Sequence, residues 1–265
     1  MISGVFHAGS GLGDQLFRYI TVRTLAEEKG YEWGMVNPGG FKGGSFLSID
    51  MGTEVPVWDG EAGIAYPFAE WHEKDVRDAQ GNDIRSYDPE SQFVEDNTII
   101  DGSFEDSKYW GHNLENINKW LAVEPLEVPD TTCVIGFRGG EYYSDPNLGL
   151  PKEYFDTAVQ MMGEKNYQIH TDDPQRAREF WGPVTGIVEN ERLSHSKHSN
   201  MGYNWRAMRY SKFAIIPNSA FFILPRLLKH HEDPTAVTIA PRYWARRNTK
   251  VWARPACFYR PFLYI

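Results

Sequence analysis

The sequence predicts an α/β protein made of two parallel, doubly wound sheet units, and three observations carry that expectation. The chain opens as strand, glycine loop, helix and strand, the start of a parallel α/β unit. Its second half alternates short apolar strands with helices, which implies a parallel sheet covered by helices. Between the halves, the stretch AVEPLEVPD carries Pro125 and Pro129, and the charge balance changes sign there. Residues 1–130 hold 24 acidic and 9 basic side chains, whereas residues 131–265 hold 12 and 18. The expected domains are therefore residues 1–125 and 131–265, side by side with a cleft between them.

The elements follow from local pattern. Residues 2–7 (ISGVFH) read as a buried strand, and Gly9, Gly11 and Gly13 punctuate the loop after it. From Asp14 to about Lys29 apolar residues fall near helical spacing, and Gly30 stops the run. A strand follows at about 31–36. Residues 37–96 are expected to be irregular, broken by GGFKGG, Pro56 and Pro67. A strand at 97–101 leads to a helix over about 106–121. In the second half, strands are expected at 133–137, 167–171, near Ile187, at 212–217 and at 236–240. Helices are expected at 151–165, from Pro174, at about 203–210 and at about 219–230.

Composition narrows the class. The chain has 265 residues, a net charge of −9, and 41% hydrophobic and 24% charged residues, enough apolar content for a packed core. The acidic total argues against broad nucleic-acid binding, which needs a clustered basic surface. A basic half beside an acidic one favours a small anionic ligand in the C-terminal part. There is no apolar run of membrane-spanning length and no signal-like N-terminus, so the chain is read as soluble and cytoplasmic. Cys133 and Cys257 form neither a disulfide framework nor zinc spacing.

Polar groups gather where strands are expected to end. AGSGLGDQ begins like a dinucleotide fingerprint, but Asp14 holds the place of its third glycine. The second strand ends in Val36-Asn37, without the acid that grips a ribose, so a nicotinamide or flavin oxidoreductase is disfavoured. FRGGEYY places Arg138, a phosphate-binding fork, beside two glycines, with Glu141 positioned to accept a proton. Asp172 and Asp173 could bind a metal or cap the helix at Pro174; no third ligand is close in sequence, and capping suits one of them. Asn218 and Ser219 stand at a helix N-terminus, a setting that suits a phosphate. His195 and His198 read as solvated, and His230-His231 suits a helix C-terminus. If the second sheet forms, Arg138, Asp172-Asp173 and Asn218-Ser219 converge on one crevice suited to a diphosphate.

These segments resemble, in order, the blocks of the alpha-1,2-fucosyltransferase family and, more distantly, the alpha-1,6- and nodulation fucosyltransferases. GSGLGDQLFRY is similar to G-G-L-G-N-Q-[LM]-F-Q-Y, IIDGSFEDSKYW to D-G-Y-[FW]-Q-S-[ED]-K-Y-F, and VIGFRGGEYY to V-H-V-R-R-G-D-Y. IHTDDPQRARE, FAIIPNSAFF and VTIAPRYW resemble the later blocks, and only residues 37–96 are unmatched. The resemblance implies a GT-B-like fold, two Rossmann-like domains facing across a cleft. It also implies inverting, metal-independent transfer of fucose from GDP-fucose to a glycan hydroxyl, with no resident cofactor. Carried over by position, Arg138 matches the arginine on the donor's β-phosphate, and Ser219 with Asn218 matches a second phosphate contact. Gly11, Gly13 and Gln15 match the N-terminal loop facing the cleft. Asp172, Asp173 and Asn204 complete the donor-facing set, Asn204 falling where related enzymes read the guanine edge with aspartate. Glu141 is the first candidate for the base that deprotonates the acceptor, and Asp145 the second. The sequence departs from the family at Gly136, Gly139 and Glu141, which stand for its histidine, second arginine and aspartate. Those departures keep a second reading open, an inactive relative that binds a nucleotide sugar or glycan.

Overall fold

The computed structural model describes residues 1–56, 58–60, 63–65, 68–77, 79, 81, 84, 86–181, 197–244 and 258–265. It is a mixed α/β protein with two parallel sheets. The first joins β2 (Trp33–Val36), β1 (Ile2–Val5), β6 (Thr98–Asp101) and β5 (Ala69–His72) in the order β2-β1-β6-β5. Helix α1 (Leu12–Lys29) connects β1 to β2, and β3 (Trp58–Gly60) pairs antiparallel with β4 (Gly63–Ala65) as a separate hairpin. Helix α2 (Leu114–Trp120) follows β6.

The second sheet has the order β11-β10-β9-β7-β8, all parallel. Its strands are β7 (Thr132–Phe137), β8 (Asn166–Thr171), β9 (Phe213–Ile215), β10 (Val237–Ala240) and β11 (Leu263–Tyr264). The helices here are α3 (Gly140–Ser144), α4 (Lys152–Met162), α5 (Pro174–Trp181), α6 (Lys197–Tyr210) and α7 (Ala220–Glu232). All six residues of β7 are buried, the continuous apolar run expected of a central parallel strand. In sequence terms the strand order is 2-1-3-4-5, so winding reverses between β7 and β9. The first sheet, in sequence terms 2-1-4-3, has no such reversal between its central strands β1 and β6, since β1→β2 and β5→β6 step in the same direction. Ligands in open α/β sheets bind outside the carboxyl ends of strands at such reversals.

One apolar core runs through both halves. It contains Leu16, Phe17 and Ile20 of α1 together with Trp205 and Met208 of α6 and Leu224 and Leu228 of α7. A second cluster, with Ile135, Phe137, Phe155 and Ile169, fills the space between the second sheet and α4 and α5. Phe46 lies against Trp205, with ring centroids 6.3 Å apart, and Tyr210 donates to the Val123 carbonyl at 2.8 Å. Arg226 of α7 is fully buried, without a carboxylate partner among the described residues. Its guanidinium donates to Thr238 Oγ1 at 2.8 Å and to the Met208 and Ser211 carbonyls at 2.8 and 2.7 Å. It therefore ties α7 to the end of α6 and to β10.

Several expectations are corrected. The helix expected from 106 begins only at Leu114, because Asp106 bonds the amide of Lys108 with one oxygen and that of Tyr87 with the other. A side chain so engaged competes with helical hydrogen bonding. Residues 37–96 contribute β5 and the hairpin, α6 begins at 197, and β11 adds an edge strand. The loop expected after Arg138 contains α3. The strand expected near Ile187, and His195, lie outside the described residues; His198 falls within α6. Among the described residues no helix is long and apolar enough to cross a membrane.

Candidate functional site

Strand β7 delivers Arg138 to the carboxyl edge of the second sheet, at the reversal beside β9. The guanidinium donates through Nη1 to Asp172 Oδ2 and through Nη2 to Glu141 Oε1 at 3.0 Å. It also lies 5.0 Å from the ring centroid of Tyr142, within cation–π range. Arg138 Nε is buried with no partner among the described residues. Asp172 spends its other oxygen on the amide of Gly139, at 2.9 Å. Asp173 caps α5, accepting from Arg176 N at 2.9 Å, and also accepts from Gly140 N at 3.2 Å. The paired aspartates thus divide their work, one pairing the arginine and the other closing a helix. Among the described residues no three His, Cys, Asp or Glu side chains are grouped to hold a metal ion.

The β9 side of the reversal carries Asn218 and Ser219. Asn218 is buried and donates through Nδ2 to the Leu148 carbonyl at 2.9 Å and to the Trp244 carbonyl. Ser219 is the N-cap residue of α7, yet its side chain makes no capping bond. Tyr142 joins the two strand ends: it lies within cation–π range of Arg138 and its phenol meets the Asn218 carbonyl at 3.4 Å. Burial pushes the Tyr142 phenol up, opposed by Arg138 and the Ser219 hydroxyl, while Asp14 of α1 and Glu105 push it further up. Charges of the first half therefore act on this edge of the second sheet.

The N-terminal loop meets the same region through packing. Gly13 lies against α7, where a Cβ would stand 2.4 Å from Phe221 N and 2.5 Å from the Ala220 carbonyl carbon. The N-terminal turns of α1 and α7 are thus in van der Waals contact. Gly11 donates to Asp14 Oδ2 at 3.2 Å, which explains the aspartate that breaks the dinucleotide pattern. Gln15 is fully buried and holds the following loop at both ends of its amide, donating to the Gly40 carbonyl and accepting from Lys42 N, each at 2.9 Å. Gly11, Gly13 and Gln15 are accordingly placed to shape the loop.

Asn204, on α6, meets His170 of β8. Its Oδ1 is 3.1 Å from His170 Nδ1, and its Nδ2 donates to the Thr171 carbonyl at 3.4 Å. His170 is buried, stacks on Tyr203 with centroids 5.4 Å apart, and leaves Nε2 without a partner among the described residues. Burial brings its pKa down to about 4, with the Asn204 hydrogen bond pulling the other way. His170 pairs in register with Gly136, the position where the resembling family carries its histidine. A side chain at 136 has no room, since its Cβ would lie 2.8 Å from the ring of Phe222. Glu141 is exposed and bonded to Arg138, and Asp145 closes a turn on Asn147 N at 2.8 Å. Tyr142 and His170 are the site members the sequence reading passed over, although both lie inside quoted segments, FRGGEYY and IHTDDP.

The comparisons add no relative. Against family models, curated proteins and solved structures, the chain finds no match.

Proposed function

We propose that this chain is an inverting glycosyltransferase that moves fucose from GDP-fucose to a hydroxyl of a glycan acceptor without a metal ion. In this reading the sheets belong to two Rossmann-like units of GT-B type, residues 1–125 on the acceptor side and 131–265 on the donor side. The carrying observation is the meeting of Arg138 and Asn218-Ser219 at the winding reversal of the second sheet, joined by Tyr142. The resemblance of six ordered segments supports the same assignment. Arg138 supplies the cation for charge developing on the leaving diphosphate, and the N-terminal turn of α7 supplies dipole and amides. Because that charge grows in the transition state, removing the fork costs several kcal/mol in rate.

Arg138 is paired with Asp172 and Glu141, and this favours a second reading, an inactive relative that only binds a nucleotide sugar or glycan. A thermal-shift panel of nucleotide sugars in EDTA, followed by turnover with acceptor glycans, tests both. A ligand at 100 times its Kd adds about 2.7 kcal/mol. Stabilisation by GDP and GDP-fucose that is lost in Arg138→Ala, with transfer, sustains the first reading. Stabilisation without transfer gives the second. Another nucleotide sugar winning moves the donor, and no stabilisation by any defeats both.

A further inference from the structure

A second cluster of chemistry sits at the carboxyl edge of the first sheet, between its two central strands. His7 follows the end of β1 and Asp101 ends β6, adjacent parallel strands of that sheet. His7 Nε2 is 3.1 Å from Asp101 Oδ1. The same oxygen accepts from Arg18 Nη2 of α1 at 2.7 Å, and that nitrogen also reaches the Gly102 carbonyl at 2.9 Å. Arg18 is buried and holds the carboxylate by that bond, while the His7 side chain is 46% exposed and open to a ligand. The other charged neighbours come from β5: His72 Nδ1 lies 3.9 Å from Asp101 Oδ2, and His72 Nε2 lies 3.4 Å from Glu70. Burial pushes the Asp101 carboxyl up, but Arg18, His7 and His72 together hold it below the usual range, so it stays ionised.

We infer that His7 is the base that deprotonates the acceptor hydroxyl, with Asp101 as its positioning residue; this rests on the transferase reading above. With Nε2–H given to Asp101, Nδ1 keeps its lone pair, and it has no partner among the described residues. Inversion requires the hydroxyl to approach the anomeric carbon opposite the leaving diphosphate. A base therefore belongs across the sugar from Arg138. Glu141, bonded to that arginine, is on the wrong side, whereas His7 comes from the other sheet. Its loop runs directly into α1, whose first turn touches α7 at Gly13. In the step, the hydroxyl proton passes to His7 Nδ1 as the acceptor oxygen forms its bond to the anomeric carbon. The bond from that carbon to the phosphate oxygen breaks, and its electron pair leaves on the nucleoside diphosphate. His7 then returns the proton to water.

The test compares wild type, His7→Gln, His7→Ala and Asp101→Asn, with urea midpoints establishing that each is folded. His7→Gln keeps a donor for Asp101 but has no basic nitrogen. Its kcat is expected to fall about 100-fold or more, with the calorimetric Kd for GDP-fucose unchanged within about twofold. Exogenous imidazole should restore part of the rate in His7→Ala. In Asp101→Asn the acid limb of the kcat/KM profile should move, which a merely structural role would not cause. A His7→Gln enzyme that binds donor and keeps kcat within about threefold overturns this assignment alone. Wild type that fails to bind donor, or binds it and transfers to no acceptor, overturns the transferase reading and the base with it.

Discussion

Gly13 of α1 and Phe221 of α7 meet so closely that a single methyl group on the glycine would stand 2.4 Å from the Phe221 amide nitrogen. Backbone cannot yield there as a flexible side chain would. Gly13→Ala is expected to cost about 1–3 kcal/mol in urea unfolding, the usual range for overpacking. The control is Gly9→Ala, since a Cβ at Gly9 meets nothing within 4 Å. Equal midpoints for the two variants would contradict the close approach.

Asp172 competes with any anion for Arg138. Because Asn at 172 still accepts from Gly139 N but carries no charge, Asp172→Asn should tighten GDP binding about fivefold to tenfold, near 1 kcal/mol. Isothermal titration measures it. Weaker binding would mean that the carboxylate aims the guanidinium and does not restrain it.

His170 gives a pH signature. Its folded pKa is about 4, below the ordinary 6.5, so between those values the unfolded chain binds more protons. Stability then rises with pH through this window and is lost as acid is added, by about 2 kcal/mol at pH 5 relative to pH 8. His230, also buried and brought down to about 4 by burial first and by Arg226, adds a loss of the same sign. Urea unfolding of His170→Gln at the two pH values should show a clearly smaller drop than wild type. An unchanged drop would place the titration elsewhere.

Arg226 is a structural cation. Replacing it with Met removes the donors to Thr238 and to the Met208 and Ser211 carbonyls. Buried acceptors left unpaired carry their full desolvation penalty, so the expected loss is about 3 kcal/mol or more. Thermal unfolding should register a fall of roughly 6–12 °C. A loss below about 1 kcal/mol would show that water reaches those carbonyls.

Sequence pattern was most legible where one signal dominated. The apolar spacing and Gly30 stop located α1 to within two residues at its start, and the run CVIGF located β7. It failed where long-range pairing decides the structure. AEWH of β5 is a short edge strand with little burial, held only because β6 lies beside it. Arg138, Asn218 and Ser219 could be read because each stands where a strand gives way to a helix. The pairing of His7 with Asp101 could not, because 94 residues separate them and neither segment announces the other. His170 escaped for a different reason: pattern placed it on a strand but could not say that its ring would be enclosed by α6.

The continuous core has a consequence for recombination. Exchanging the first half of this chain for another protein's cuts through matched surfaces rather than a linker. Gly13 must find Ala220 and Phe221, Phe46 must find Gly202 and Trp205, and Tyr210 must find the carbonyl of Val123. A chimera joined at residues 125–131 inherits one side of each of these fits and none of the others. Productive crossovers will be those that carry the first turn of α1 and the 41–47 loop together with α6 and α7, so heredity in this fold follows the packing rather than the chain midpoint.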